Sequence, residues 1–543
     1  MRPTSKLKKT ERKEGWVVRT LAAFTHAVIK RYWSRLAIVV VLVGMASLIT
    51  TKLMPPAEYL PTGNRNLIFG LLLPPPGYNL AEMIDMAGGV EKQLLPFVAK
   101  DENDLERDGV PTIRHFFFVA RGSVAFMGGA ATDPALVKDL LPIIKKPVRS
   151  IPGTFGIVNQ TSIFSRGIGR GRSLDLAITG PDLEKLIGLA GPLFGMISQK
   201  IPGSQIRPIP GLELGNPEIR LIPNRIRAND NGLSAFSIGQ SIDTFTSGIK
   251  VDDLVVNGRE MDLVLRGKPN PDPHTQDIGQ LPLVTPGGRI IPVSTVAEIQ
   301  PFDGPVRIDH LERQRAITLR ITPPEEMALE TAIGIVTSQV IDPMVKKGLP
   351  PFTQIRLTEG ADQLVLAKEA LSSQFLLALI ITFLLMAALF ESFLYPLVII
   401  VTVPLATAGG MLGLWVLNLF MHQPLDVLTM LGFIILIGVV VNNAILIVHQ
   451  ALNFMREEGM EPDQAVVESV KIRIRPIFMS TLTSLFGMLP LVLFPGAGSE
   501  LYRGLGSVVL GGLLLSTLFT LVLAPALFSL VMAGKRYVTG RAI

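Results

Sequence analysis

Six apolar runs, each about long enough to cross a bilayer, dominate this sequence of 543 residues. A helix needs roughly 18 or more apolar residues to span the hydrocarbon core. The runs are Leu36–Leu53, Gln374–Phe390, Leu394–Phe420, Val427–Val448, Pro476–Phe494 and Leu505–Met532. With 48% hydrophobic and 18% charged residues, the chain is too apolar for a soluble protein of this length. The sequence therefore predicts an α-helical membrane bundle of six transmembrane helices.

Lysine and arginine are concentrated on one side of the predicted bundle. They crowd the N-terminal tail, the connection between the fourth and fifth runs, and the C-terminal tail. The short connections on the other side carry only Arg503. Because basic residues are retained on the cytoplasmic side, both termini are predicted to lie in the cytoplasm and the long segment Met54–Ala370 outside it.

The first apolar run, Leu36–Leu53, is predicted to remain in the membrane as an anchor. It is longer than the apolar region of a secretory signal peptide and lacks an A-x-A-like cleavage site. The net charge of +6 is interpreted as membrane topology and contact with anionic lipid, and no nucleic acid partner is expected. Since the sequence contains no cysteine, the exported region is expected to fold without disulfides.

The external segment repeats one local pattern three times: an apolar strand, a turn with proline or glycine, and an amphipathic helix. The copies begin with "NLIFGLLL", "SLDLAITG" and "AITLRIT". Asn79, Asp182 and Glu325 are predicted at the helix starts, where side-chain oxygens accept hydrogen bonds from free backbone N–H groups. Strand–helix–strand units with a return strand predict an α+β region with split βαβ, ferredoxin-like subdomains.

Between the second and third copies, residues 217–305 change to short strands separated by glycine and proline turns, as in "VVNGREMDLVLRGKPNPDPH". This pattern predicts an inserted β-rich module. We expect the module to contact a partner protein.

No catalytic motif occurs in the sequence. It contains no HExxH, no GxSxG and no GxxxxGK[ST], and its six histidines lack metal-ligand spacing. The sequence therefore predicts neither an enzyme, nor a metal site, nor a cofactor.

Four stretches of the membrane half carry a specific resemblance. In chain order they are "LLMAALFESFLYPLVIIVTVPLATAGG", "GVVVNNAILIV", "RIRPIFMSTLTSLFGMLPL" and "GAGSELYRGLGSVVLGG". They resemble the C-terminal half of resistance-nodulation-division (RND) inner-membrane efflux pumps of the acriflavine-resistance type. "MPPAEYLPTGNRN" and "LERQRAITLRI" resemble the external part of the same half.

The resemblance implies a multi-pass protein of the bacterial inner membrane with a large periplasmic porter domain. Together with the patterns above, this resemblance predicts how the chain divides into domains and membrane segments. They are a basic cytoplasmic tail (1–35), transmembrane helix 1 (36–54), a porter subdomain (55–169), a second porter subdomain (170–216 and 306–362), a β-rich docking-like insertion (217–305), transmembrane helices 2–6 (371–534) with a cytoplasmic helix (452–471), and a cytoplasmic tail (535–543).

Full pumps of this family have twelve spans in two similar halves, whereas this sequence supplies only the second half. The resemblance therefore implies a half-size subunit that needs an N-terminal-half RND subunit as its partner. It further implies a trimer of such half-pairs, a periplasmic adaptor, an outer-membrane channel, and proton-driven antiport of amphiphilic small molecules.

The family resemblance also implies a proton relay. In the family, the helix equivalent to Val427–Val448 carries a lysine where this chain has Asn442 and an asparagine where it has Asn443. Arg473 and Ser480 match further relay positions. Because an amide offers no positive charge, the relay is expected to depend on Arg473 for charge.

The alternative interpretation is that Asn442 and Asn443 only join helices by hydrogen bonds. None of the six runs carries Asp or Glu at its centre. A proton-coupled transporter needs a titrating group within the membrane, so the partner half is expected to supply a pair of Asp. Glycines that permit close helix approach are predicted at Gly409, Gly410, Gly504, Gly506, Gly511 and Gly512.

A candidate substrate path lies in "FFFVARGSVAFMGGAATD", where the family has a flexible Gly/Phe loop between two substrate pockets. Phe126 and Met127, flanked by Gly122 and Gly128, suit a mobile apolar surface for varied ligands. The alternative is that such an exposed loop forms a protein interface. The preceding Phe116–Phe118 is predicted to form a buried strand.

Two other functions compete with efflux. One is an auxiliary membrane subunit of Sec-type protein export, since such subunits also combine six spans with an external loop. The other is a non-transporting remnant of a split RND pump. The three repeated external units and the β-rich insertion favour small-molecule efflux.

Overall fold

The computed structural model describes residues 16–60, 65–75, 77–101, 103–107, 109–121, 124–162, 172–212, 216–268, 275–305, 307–494 and 499–539. The helices are α1 (Trp16–Ile29), α2 (Tyr32–Leu53), α3 (Leu80–Leu94), α4 (Val137–Arg149), α5 (Leu183–Lys200), α6 (Arg225–Asp230), α7 (Ala235–Thr246), α8 (Val293–Val296), α9 (Leu329–Ile335), α10 (Asp342–Lys347), α11 (Gly360–Phe390), α12 (Leu394–Ile400), α13 (Val403–Asn418), α14 (Val427–Glu457), α15 (Pro462–Leu493) and α16 (Arg503–Thr539). The strands are β1 (Ile68–Leu73), β2 (Glu106–Arg107), β3 (Val110–Pro111), β4 (Ile113–Arg121), β5 (Val124–Ala131), β6 (Phe155–Gln160), β7 (Leu174–Gly180), β8 (Gln205–Ile209), β9 (Asn216–Pro223), β10 (Ile249–Val256), β11 (Arg259–Leu265), β12 (Pro282–Val284), β13 (Ile290–Pro292), β14 (Ala297–Gly304), β15 (Asp309–Leu311), β16 (Gln314–Thr322) and β17 (Gln354–Thr358).

Within these described ranges, six helical segments are long and apolar enough to cross a membrane. They are Tyr32–Leu53, Gly360–Phe390, Leu394–Asn418, Val427–Glu457, Pro462–Leu493 and Glu500–Tyr537. Each coincides with one of the six apolar runs, so the predicted six-span bundle is confirmed. The third span consists of α12 and α13, with Pro404 near the start of α13.

The N-terminal segment differs from the predicted basic tail of residues 1–35. Residues 16–29 form α1, and the first span begins at Tyr32, earlier than the predicted start. Val18, Ala22 and Val28 of α1 are buried. This segment is a helix packed on the bundle because apolar residues at helical spacing cover one of its faces.

The predicted cytoplasmic helix 452–471 is wrong. The structure divides this segment between the end of α14 and the start of α15. Gly459 has a φ of +64°, the left-handed conformation that glycine adopts after a helix end. Pro462 occupies the first position of α15, where its missing N–H costs nothing.

Three helices form the centre of the bundle. More than half of the apolar stretch is buried in α13, α14 and α16, whereas α2, α11 and α15 leave most of theirs exposed. α13 and α16 meet at glycines. A Cβ atom on Gly511 would lie 2.4 Å from the Gly409 carbonyl oxygen, and one on Gly413 would lie 2.4 Å from the Ser507 carbonyl oxygen. The two backbones therefore touch where a side chain would separate them.

Two antiparallel sheets belong to the same unit of the chain as the bundle. The first has the order β4-β5-β1-β6, and α3 and α4 pack on one of its faces. The second has the order β15-β16-β7-β17, with β8 also paired to β16. A reciprocal pair of hydrogen bonds between Asn159 and Gln205, at 3.0 and 2.9 Å, joins an edge strand of each sheet.

Residues 75–78 and 210–308 form a separate unit. It contains the ribbon β9–β14, the hairpins β10–β11 and β12–β13, and helices α6–α8. Its small core includes Leu233, Ile238, Leu283 and Val293.

Two of the three predicted helix caps are confirmed. Asn79 forms a capping box with Glu82 at the start of α3, and the Asp182 carboxylate accepts hydrogen bonds from the N–H groups of Glu184 and Lys185. The prediction for Glu325 is wrong because α9 begins at Leu329. Glu325 lies instead in a turn, on either side of which the Pro324 and Met327 carbonyls accept hydrogen bonds from Arg172.

A buried carboxylate connects the sheets to the bundle just after the first span. Glu58 is fully buried. Its carboxylate accepts hydrogen bonds from Arg172 Nε at 2.7 Å and from the Leu329 N–H at 3.0 Å. Its own N–H donates to the Leu425 carbonyl at 3.0 Å, next to the start of α14. One residue therefore contacts both the second sheet region and the segment that leads into the fourth span.

The neighbouring residue adds a second connection. The Ala57 N–H donates to Glu330 of α9 at 2.6 Å, and Lys368 of α11 donates to the same carboxylate. Burial opposes ionisation of Glu330, but the Ala57 N–H and the Lys368 ammonium outweigh it and lower the pKa of this carboxyl group.

The close contact between α13 and α16 predicts that an alanine substitution destabilises the protein at a contact glycine but not at a glycine that faces open space. Gly511→Ala should lower the thermal midpoint of the purified protein, because its methyl group would collide with α13; overpacking of this kind costs about 1–3 kcal/mol. Gly438→Ala is the matched control, because a Cβ at that position of α14 would meet no atom of a neighbouring helix within 4 Å. Equal midpoints for the two variants would contradict the close backbone contact.

Candidate functional site

The two adjacent asparagines of α14 point in different directions. Asn443 is 4% exposed and faces the interior of the bundle, whereas the Asn442 side chain is exposed on the outside. Neighbouring residues on a helix are separated by about 100°, so the two amides point in different directions, and only Asn443 points into the bundle. No hydrogen bond joins Asn442 to another described side chain.

Asn443 belongs to a buried cluster of three polar side chains on three spans. Its Nδ2 donates to Thr517 Oγ1 of α16 at 3.2 Å. Thr517 Oγ1 in turn lies 3.2 Å from Thr481 Oγ1 of α15. All three residues are buried. The cluster satisfies polar groups that hydrocarbon cannot satisfy and joins α14, α15 and α16.

Neither threonine is among the residues predicted from the sequence. Ser480 is predicted there through the family resemblance, but it lies on the exposed side of α15, where its hydroxyl donates to the Ile477 carbonyl at 3.0 Å. The neighbouring Thr481 faces inward instead. A hydroxyl residue in each of two apolar runs was the available signal, but the direction of the side chain depends on how the helices pack.

Arg473 lies apart from this cluster, two turns before Thr481 on α15. Its guanidinium donates to Gln450 Oε1 of α14 at 2.6 Å. Its Nε is buried and has no hydrogen-bond partner among the residues described. The arginine therefore links α14 and α15 and places one positive charge at the cytoplasmic end of the bundle.

The four predicted relay residues thus occupy three separate environments. Asn443 bonds to the inward-facing Thr517, Arg473 bonds to Gln450, and Asn442 and Ser480 are exposed. The arrangement can orient hydrogen bonds and hold a charge. The three polar groups of the buried cluster do not titrate near neutral pH.

The predicted loop of the substrate path is a strand. Gly122 lies outside the described residues, and Phe126, Met127 and Gly128 belong to β5, the second strand of the first sheet. The loop prediction is therefore wrong for these three residues, because β5 pairs with β1 and β4 on its two sides. Met127 is fully buried against the helices.

The opposite face of this sheet carries a cluster of three phenylalanine rings. The ring of Phe69 lies 6.1 Å from the rings of both Phe117 and Phe126. A Cβ atom on Gly128 would lie 2.4 Å from the Phe117 ring, so this glycine provides the space for that ring. Phe116–Phe118 lie in β4, as predicted, but Phe117 is partly exposed.

No group of three or more His, Cys, Asp or Glu side chains among the described residues could hold a metal ion.

The buried cluster predicts a stability effect at Thr517. Thr517→Val should lower the free energy of unfolding by about 1 kcal/mol, because it leaves Asn443 and Thr481 without their shared partner. Thr483→Val is the matched control, since the exposed Thr483 hydroxyl bonds only to the Met479 carbonyl of its own helix. The two variants would be compared by denaturant titration in detergent; an equal effect would contradict a stabilising cluster.

Similarity to known proteins covers nearly the whole chain. A model of the AcrB/AcrD/AcrF family matches residues 6–532. Multidrug resistance protein MdtC of Salmonella paratyphi B is 34% identical over 261 residues, which cover 47% of this chain and 24% of that protein. MdtC of Salmonella arizonae is 33% identical over the same length.

Two crystal forms of a heavy metal efflux pump share the fold. Form II superimposes with a TM-score of 0.75 at 23% identity, and form I with a TM-score of 0.76 at 22% identity. The alignments cover 96% and 95% of this chain, but only 53% and 52% of the pump chains. The chain therefore spans about half the length of these solved structures. From the family match across the spans and the sheets, the chain belongs to the AcrB/AcrD/AcrF family of RND efflux transporters, as a multi-pass protein of the inner membrane with a large periplasmic region.

Proposed function

We propose that this chain is the C-terminal-half subunit of a proton-driven RND exporter and works with a second six-span bundle. The observation that carries the proposal is Asn442. Its amide is exposed on α14, within a span. Because an amide facing hydrocarbon without a hydrogen-bond partner is costly, polar residues of membrane helices normally face protein or water. A second bundle against this face would supply the missing partner.

The distribution of carboxylates supports the same proposal. In the described spans, Asp and Glu occur only toward the ends, at Asp362, Glu369, Glu457, Asp463, Glu468 and Glu500. Proton coupling requires a group that changes its protonation within the membrane. We propose that carboxylates of the second bundle perform this step beside Asn442, as the family resemblance implies.

Arg473 would provide the positive charge of the relay from within this chain. Its guanidinium has one hydrogen bond to Gln450 and a free buried Nε, so it keeps capacity for a further acceptor. A nearby positive charge favours the ionised form of a carboxyl group. Buried Asn443 has a different role here, because its amide already donates a hydrogen bond to Thr517. Asn443 therefore holds α14 against α16.

The two sheets support a porter role for the periplasmic region. In each sheet, the strands lie side by side in the spatial order of a split βαβ unit. This order is β6-β1-β5-β4 in the first sheet and β17-β7-β16-β8 in the second. We propose that they are ferredoxin-like porter subdomains and that the separate unit of residues 210–308 is the docking-like insertion. Partner proteins would be a periplasmic adaptor and an outer-membrane channel, with half-pairs assembled as a trimer.

The aromatic face of the first sheet is the proposed contact for amphiphilic substrates. Phe126 remains a candidate, together with Phe69 and Phe117, because rings on an open sheet face suit varied apolar ligands. Met127 is excluded from direct contact by its position in the core. The family match favours efflux over the protein-export alternative.

Arg473 provides the first functional test. With the second bundle coexpressed, Arg473→Ala should abolish resistance to amphiphilic dyes at normal abundance, and Arg473→Lys should retain part of it. Arg475→Ala, two residues away and exposed, is the matched control and should keep resistance. Full resistance in the Arg473→Ala variant would show that the arginine only helps to orient the protein in the membrane and takes no part in the relay.

Reconstitution tests the requirement for a second bundle. The chain alone in proteoliposomes should insert but should not move dye against its gradient when a proton gradient is applied, because its buried cluster offers no titrating group. Addition of an N-terminal-half protein with an Asp pair should restore transport. Uphill transport by this polypeptide alone would refute the proposal.

A further inference from the structure

The N-terminal helix α1 presents two chemically different faces. One packs on the bundle through Val18, Ala22, Val28 and Ile29, which are all buried. The other exposes large aromatic and basic side chains. Together with the turn and the first residues of α2, this exposed group consists of Trp16, Arg19, Phe24, Lys30, Arg31, Tyr32 and Trp33. We call this group the elbow face.

Three contacts place α1 at the level where the spans enter the membrane. Val28 packs against Val522 and Ala526 of α16. The carbonyl of Ile29 accepts a hydrogen bond from Arg35, in the first turn of α2. Arg35 also forms an ion pair of 2.7 Å with Asp463, the second residue of α15. The C-terminal end of α1 therefore lies beside the charged residues Arg35 and Asp463, in the first turns of α2 and α15.

The elbow face also lies on the cytoplasmic side and at the edge of the bundle. The opposite end of α2 leads into the periplasmic region, so α1 must lie on the other side of the membrane. Only 6% of the apolar stretch of α2 is buried in the protein, so this helix lies at the edge of the bundle with an apolar surface that suits lipid. Since only Lys30 and Arg31 separate α1 from α2, lipid in contact with the exposed side of α2 would also reach the elbow face.

The charges of this segment have one sign. No Asp or Glu occurs from Trp16 to Ala57. Two carboxylates at the start of α15 already form ion pairs, Asp463 with Arg35 and Glu461 with Arg536. Arg19, Lys30 and Arg31 make no ion pair with any residue that the structure describes. These three cations therefore lack a protein counter-charge there.

We propose that the elbow face is a binding site for anionic phospholipids of the cytoplasmic leaflet. Tryptophan and tyrosine favour the boundary between headgroups and acyl chains, and Trp16, Tyr32 and Trp33 supply such rings next to the basic groups. Lysine and arginine at this depth attract anionic headgroups. An acidic protein partner would suit the charges, but it would have to displace lipid from a helix joined directly to a lipid-exposed span.

Tryptophan fluorescence can test this site, because the chain has only three tryptophans. Trp33→Phe and Trp415→Phe in one variant leave Trp16 as the single probe. The full-length variant would be placed in nanodiscs that contain either brominated phosphatidylglycerol or brominated phosphatidylcholine at equal mole fraction. Bromine quenches a tryptophan that it touches, so phosphatidylglycerol should quench Trp16 more strongly.

Charge neutralisation then separates headgroup binding from simple proximity to lipid. Lys30→Gln with Arg31→Gln should reduce the preference for phosphatidylglycerol roughly fivefold for each charge removed. Arg456→Gln with Arg475→Gln removes two exposed cytoplasmic-side charges elsewhere and should leave the preference unchanged. Equal quenching by both lipids, or a preference unaffected at Lys30 and Arg31, would overturn the proposal. Weak quenching by either lipid would overturn it too, because the face would then be covered by protein.

Discussion

The backbone contact between α13 and α16 is the interaction on which the rest of the bundle depends. In lipid, apolar side chains gain little from leaving the solvent, so close packing and hydrogen bonds must hold helices together. Gly409, Gly413 and Gly511 allow two backbones to touch, and α14 packs on the same central helix α16. This leaves α2, α11 and α15 at the periphery, where their exposed apolar residues suit lipid or a second bundle.

α14 connects this centre to the periplasmic region. At its external end, Asp426 caps the helix through the Thr429 N–H, and the preceding Leu425 accepts a hydrogen bond from Glu58. At its middle, Asn443 bonds to Thr517. Because Glu58 also bonds to Arg172 and Leu329, a displacement of the second sheet region would act on the start of the same helix that carries both asparagines.

The elements that sequence analysis predicted well are those governed by local chemistry. The six spans follow from apolar length, since every backbone polar group in hydrocarbon must be satisfied within a helix. Asn79 and Asp182 cap helices because a short side-chain oxygen there reaches free N–H groups. The failures concern boundaries and direction: the division of residues 452–471 into two helices, the cap at Glu325, and the strand that contains Phe126 and Met127.

The lengths of the apolar runs and the local strand and helix patterns are enough to predict six membrane spans, a large external α+β region, and two amides on one span. The sequence could not determine which amide faces inward, because adjacent helical residues differ by about 100° and only the packing of neighbouring helices selects the buried face. Nor could it pair Asn443 with Thr517, which is 74 residues away, or Glu58 with Arg172 and Leu425. Those contacts exist only where tertiary structure brings distant polar groups together and excludes water and lipid from them.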